Sequence, residues 1–145
     1  MTGSPAALTA GAEDMAYTVS KAELLDGFTD VEGDDLDVTG TITVDHGVVV
    51  DNLDGTYTVT PGADYFGAVT LSYSVSDGTD ETAATRAFTL TAVNDAPDLT
   101  SSHATLGNGI EDTAYTVSVA NLIQGYSDVE GNSLSVSGLT ANHGS

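Results

Sequence analysis

The chain has 145 residues, 40% of them hydrophobic, with neither Cys nor Trp, and a net charge of −20 from 22 acids against Lys21 and Arg86 alone. Such a charge excludes nucleic acid and anionic lipid as partners, because nothing neutralises phosphate. The missing Cys removes disulfides and thiolate zinc sites as staples, and no apolar run approaches the length of a membrane span, so direct membrane insertion is not expected.

Met1-Thr-Gly-Ser-Pro5 lacks the basic-then-apolar pattern of an export signal and reads as the start of a fragment. Short alternating segments rich in Val, Thr, Ile and Tyr follow, and each predicts a strand. They fall near 6–10, at 16–20, at 36–44 with a break at Gly40, at 48–50, 56–60, 69–75 and 83–93. Turns separate them: Glu13-Asp14, the acidic loop 30–35, His46-Gly47, the Asp54-Gly55 hairpin, the loop 61–67 and Asp77–Asp80. Residues 21–28 break the rhythm. Ala22, Leu24, Leu25 and Phe28 have near-helical spacing, with Ser20 as N-cap and Glu23 placed for a capping box. Seven strands with regular turn signals predict an all-β, immunoglobulin-like antiparallel sandwich.

The chain then repeats itself. Residues 13–38 return as 111–136 with 16 of 26 positions identical, an offset of 98. Self-similarity at a domain-sized period marks an array. Residues 1–96 read as one complete repeat, and 97–145 as the N-terminal half of a second, since the counterpart of 48–96 would lie beyond Ser145. Val93-Asn94-Asp95-Ala96-Pro97 is the joint, which Pro97 stiffens. The half repeat is expected to be disordered, to be completed by further residues, or to self-associate through its open edges.

Alternating strand direction sorts the acids to two ends. Glu13, Asp64 and Asp95, with Asn94, gather at the C-terminal end of the first repeat, and Asp128 and Glu130 at the N-terminal end of the second. Carboxylates so crowded repel unless a hard cation lies between them. Ca2+ accepts six to eight oxygens in flexible geometry, whereas Mg2+ demands a near-ideal octahedron, and zinc lacks its Cys or His cluster. Asp30, Glu32, Asp34 and Asp77 fall at the opposite end, where they would complete a second site with a preceding repeat. The loop 30–36 superficially matches the start of an EF-hand loop, but no helix pair and no acid at the twelfth position follow.

The EDxAYT opening, the DVEGD loop, the HG turn, the DGTYTVTP and SYSVSDGT strands, the DYFG turn and the VNDAP joint together resemble a bacterial cadherin-like tandem repeat. Such repeats occur in very large secreted surface adhesins of the RTX type. The resemblance implies a calcium-rigidified extender at the bacterial cell surface, with neighbouring repeats of the same chain as partners. It implies that Glu13, Asp64, Asn94, Asp95, Asp128 and Glu130 hold the ion. Asp64 stands alone where cadherins usually offer two nearby acids, and Glu130 replaces the more usual Asp. A ligand-binding adhesion module gripping a glycan or protein is the rival reading. His46 and His143 are copies of one turn rather than members of a triad, His103 lies in a Ser/Gly-rich stretch, and no sugar cleft is evident. The expectation is therefore a non-enzyme.

Overall fold

The structure is a computed structural model that describes residues 6–142. Met1–Pro5, and the His143-Gly144 copy of the His-Gly turn, lie outside the described residues. The chain divides into two compact units, with the boundary between Val93 and Asn94.

The first unit is a sandwich of seven strands in chain order: β1 (Gly11–Ala12), β2 (Tyr17–Ser20), β3 (Asp37–Val44), β4 (Val48–Asp51), β5 (Thr56–Thr60), β6 (Gly67–Ser76) and β7 (Glu81–Thr91). One sheet runs β1-β7-β6-β3 and the other β2-β5-β4. The strand positions follow the sequence pattern except at the start. The strand expected at 6–10 forms instead at β1, and it pairs parallel with β7, Gly11 opposite Leu90. The chain enters beside the end of β7 and then crosses to the other sheet at β2. That switch of sheets leaves one short parallel ladder in an otherwise antiparallel sandwich. At Gly40 (φ 71°) the β3–β6 register shifts, as the break in the alternation requires.

Alternation decides the core. Along β7 the inward positions are Ala84, Arg86, Phe88 and Leu90, and along β6 they include Val69, Leu71, Tyr73 and Val75. Tyr17 from one sheet stacks on Phe88 from the other, with ring centroids 4.1 Å apart. Val19, Leu24, Val59, Val69 and Leu71 are fully buried around them.

The helix α1 (Lys21–Leu25) is shorter than the spacing predicts, because Asp26 turns to ψ 130° and Gly27 takes φ 84°. Its capping box is complete: Glu23 N–H donates to Ser20 Oγ at 3.2 Å, and Ser20 N–H to Glu23 Oε2 at 2.8 Å. Those two Ser20 groups hold the Glu23 carboxyl below its ordinary range. A helix this short cannot satisfy its C-terminal carbonyls internally. Side chains from the facing sheet do so instead. Tyr73 Oη donates to Leu24 O at 2.7 Å, and the buried Arg86 guanidinium donates to Glu23 O and to Asp26 O, with the Asp26 carboxylate 3.6 Å away. Burial pushes the Tyr73 hydroxyl pKa up.

The second unit contains a two-stranded antiparallel sheet, β8 (Asp98–Leu99) with β9 (Tyr126–Ser127), and the helix α2 (Val119–Ile123) behind its N-cap Ser118. No described residue after Val93 is buried. Tyr17 is 9% exposed beneath Phe88 of β7, while its copy Tyr115 is 51% exposed.

Candidate metal centre

Within the first unit, three acids arrive at one end from two connections. Glu13 follows directly on β1, and its N–H continues the parallel ladder to Thr91 O at 3.0 Å. Its side chain turns back along β7, and Oε1 accepts the Val93 N–H at 2.7 Å. The residue is fully buried, and among the described residues Oε2 has no hydrogen-bond partner. Asp14 and Asp64 both have φ 56°, the left-handed region that Asp tolerates better than most residues. Asp64 N–H donates to Asp14 Oδ1 at 3.3 Å, and a carboxylate oxygen of each lies within 4.8 Å of the other. Two full charges at that distance repel by about 1 kcal/mol even in water, and by more where water is partly excluded.

The second unit assembles its own set. Asp128 Oδ1 accepts the Asn132 N–H at 2.7 Å, and Asp128 O accepts the Gly131 N–H at 3.1 Å, so this acid closes the turn that carries Glu130. Glu130 Oε2 accepts the Asp95 N–H at 3.1 Å, and carboxylate oxygens of the two residues come within 4.8 Å. Glu130 Oε1 is buried with no hydrogen-bond partner among the described residues. Asn132 Nδ2 donates to Asn94 Oδ1 at 3.0 Å, which fastens the Asn94 side chain to the same turn.

At the opposite end of the first unit, Asp30, Asp77 and Asp80 line a cavity of about 120 Å3. Asp30 Oδ1 accepts the N–H groups of Gly33 and Asp34 at 2.8 and 3.0 Å. Asp77 Oδ1 accepts those of Asp80 and Thr79, which hold its carboxyl below the ordinary range. Glu32 and Asp34 are exposed, and Asp34 meets Asp30 through its amide.

The donors fit a hard cation better than any other group. They are all carboxylate or amide oxygens, and among them Glu13 Oε2 and Glu130 Oε1 are buried with no proton donor among the described residues. The chain's own cations are engaged elsewhere: Lys21 Nζ lies 2.6 Å from Asp37, and Arg86 is committed to α1 and Asp26. Asp14 and Asn132 are absent from the candidates that spacing alone selects. A signal for Asp14 was available, since the Glu13-Asp14 pair returns as Glu111-Asp112 and Asp112 has the same left-handed φ, 57°.

The model of the family described as "Cadherin-like domain" matches residues 1–91 and again 93–145. No curated protein matches the chain. Two similar solved structures are the endo-fucoidan hydrolase MfFcnA4 from glycoside hydrolase family 107 and a single-substitution variant of it, each at 27% identity and a TM-score of 0.43. The likeness covers 62% of this chain and 13% of theirs. These two neighbours are hydrolases, so the expectation of a non-enzyme is not upheld. The hydrolase activity belongs to those proteins, and this chain spans only a small part of their length.

Proposed function

Because the chain belongs to the cadherin-like domain family, matched over both of its repeats, we propose that it is a calcium-dependent extender segment of a secreted bacterial surface adhesin of the RTX type. Calcium is held at the joint between repeats. Glu13, Asp14 and Asp64 serve from the first repeat, Asn94 and Asp95 from the joint, and Asp128 and Glu130 from the second repeat. Asp30, Glu32, Asp34 and Asp77 form the matching half of a joint with a preceding repeat.

One observation carries this reading. Glu13 is fully buried with a carboxylate oxygen that no donor meets among the described residues, in a chain whose only Lys and Arg are both paired elsewhere. A buried charge is costly unless it is paired or bound to metal, and among the described residues both Lys21 and Arg86 are engaged elsewhere. Calcium supplies positive charge and accepts oxygens from several loops at once. Acids on either side of the Val93–Asn94 bond would then be drawn to a common ion rather than repelling, and bending at the linker would be restricted. The partners are neighbouring repeats of the same chain, with a second copy as a further partner of residues 97–145, where Tyr115, Val119 and Tyr126 are exposed.

Isothermal titration of calcium into the chelator-treated chain, followed by melting with and without chelator, tests the reading. Calcium uptake and a raised melting temperature are expected, with a much weaker response to magnesium. Absence of both heat and melting shift would overturn it. Light scattering across concentrations tests self-association, and a constant mass would remove that partner.

A further inference from the structure

Asp64 occupies a loop whose conformation its own contacts do not secure. Its backbone is left-handed, its side chain is exposed, and its N–H reaches Asp14 Oδ1 at a long 3.3 Å while the two carboxylates repel. The next residue is held firmly. The Tyr65 ring stacks on His46 with centroids 3.8 Å apart and planes 10° from parallel, and Tyr65 Oη donates to Ala68 O at 2.7 Å. The His46 side of that stack is anchored in turn. Thr70 N–H donates to Asp45 Oδ1 at 2.8 Å, and Asp45 N–H to Thr70 O at 3.2 Å. Gly47, at φ 130°, lies so close to the strand feeding the loop that a Cβ there would meet Thr60 O at 2.3 Å. The His-Gly turn thus grips both ends of the loop 61–67, at Thr60 on entry and at Tyr65 beyond Asp64.

We infer that His46, stacked on Tyr65, is a positioning residue that presents the Asp64 carboxylate to the calcium site; this rests on the calcium reading above. Tyr65 is half-buried and packs against the core, while His46 lies exposed on its ring. Its contribution is therefore to loop order, and the aromatic face is the chemistry required. The same His-Gly pair stands at His143-Gly144 in the second copy.

The test compares His46→Ala with His46→Phe, which keeps a stacking ring. In chelator, the amide order parameter of Asp64 is expected to fall in His46→Ala from the rigid value of about 0.85 toward 0.6, and to stay high in His46→Phe. Calorimetric calcium affinity, measured well below melting, is expected to weaken roughly 2- to 10-fold in His46→Ala, with recovery in His46→Phe. Val75→Ala, a core change at the opposite end, controls for lost stability and is expected to leave the affinity unchanged. If Asp64 stays rigid in His46→Ala, or Val75→Ala weakens calcium equally, the positioning role is overturned. If the unaltered chain binds no calcium, the metal reading fails, and the order parameters still decide whether His46 orders the loop.

Discussion

Replacing Glu13 by Gln separates the cost of the buried carboxylate from its use. The amide keeps the shape of the side chain and an oxygen to accept the Val93 N–H now held at 2.7 Å. Without calcium, the wild-type chain carries an effective burial penalty of several kcal/mol for that charge. The substitution relieves it, at the cost of a weaker hydrogen bond by about 1 kcal/mol and an unpartnered amide donor of about 1–3 kcal/mol. The net is a gain of about 1 kcal/mol, or roughly 4–8 °C in melting temperature for a domain of this size. With calcium at about 100 times its dissociation constant, wild type gains about 2.7 kcal/mol, roughly 10–20 °C. A site weakened roughly a hundredfold gains only about 0.4 kcal/mol at the same concentration. The expected order of melting temperatures is wild type with calcium, then Glu13→Gln in either condition, then wild type in chelator. Scanning calorimetry of both proteins in chelator and in calcium reads it directly. Asp54→Asn removes the same charge at a distant hairpin, where Asp54 Oδ1 accepts from Thr56, and controls for net charge. The reasoning is refuted if Glu13→Gln keeps the full calcium increment, or if Asp54→Asn loses as much of it.

Three further outcomes are expected. Tyr73→Phe strips Leu24 O of its buried 2.7 Å donor and should cost about 1–3 kcal/mol in urea unfolding with an unchanged slope. Leu24→Ala should cost about 2–5 kcal/mol, whereas its copy Leu122→Ala should cost under about 1 kcal/mol, because Leu24 is fully buried and Leu122 is not. Ser20→Ala should raise the Glu23 pKa toward its ordinary value in a carbon-detected titration, since the Ser20 hydroxyl and N–H lower it now. A depressed carboxyl contributes stability that is present above its unfolded pKa and lost as pH falls through the folded one. The variant should therefore lose about 1 kcal/mol of helix capping at neutral pH and show a shallower acid loss. An unmoved Glu23 titration would contradict the capping geometry.

Local features of the fold were legible because their causes are local. Alternation places Val69, Leu71, Tyr73 and Val75 on one face of β6, and Ser20 with Glu23 specifies where α1 begins. The end of α1 was less legible, because Asp26 and Gly27 stop it short of Phe28 and its carbonyls depend on Tyr73 and Arg86 from distant strands. The inward parity of Arg86 with Phe88 and Leu90 is written in β7, but composition alone presents it as one of two surface bases. The parallel seat of β1 was illegible for a related reason: two residues carry no periodicity, and their partner lies almost 80 positions away. The sorting of the acids to two ends followed from alternating strand direction, which sends Glu13 and Asp64 to one end and Asp30 and Asp77 to the other. The place of Asp14 beside Asp64 did not, since it requires two left-handed residues from separate connections to meet.

The sequence by itself determined the repeat, the strand-rich sandwich, the excess of acid and the residues at which that acid recurs, because each depends on spacing along the chain. The tertiary structure decided which carboxylate loses its water, which amide meets Glu13 and Glu130, and how the His46–Tyr65 stack borders Asp64. Those depend on groups separated by tens of residues, whose approach is set by sheet pairing and burial rather than by any neighbour in sequence.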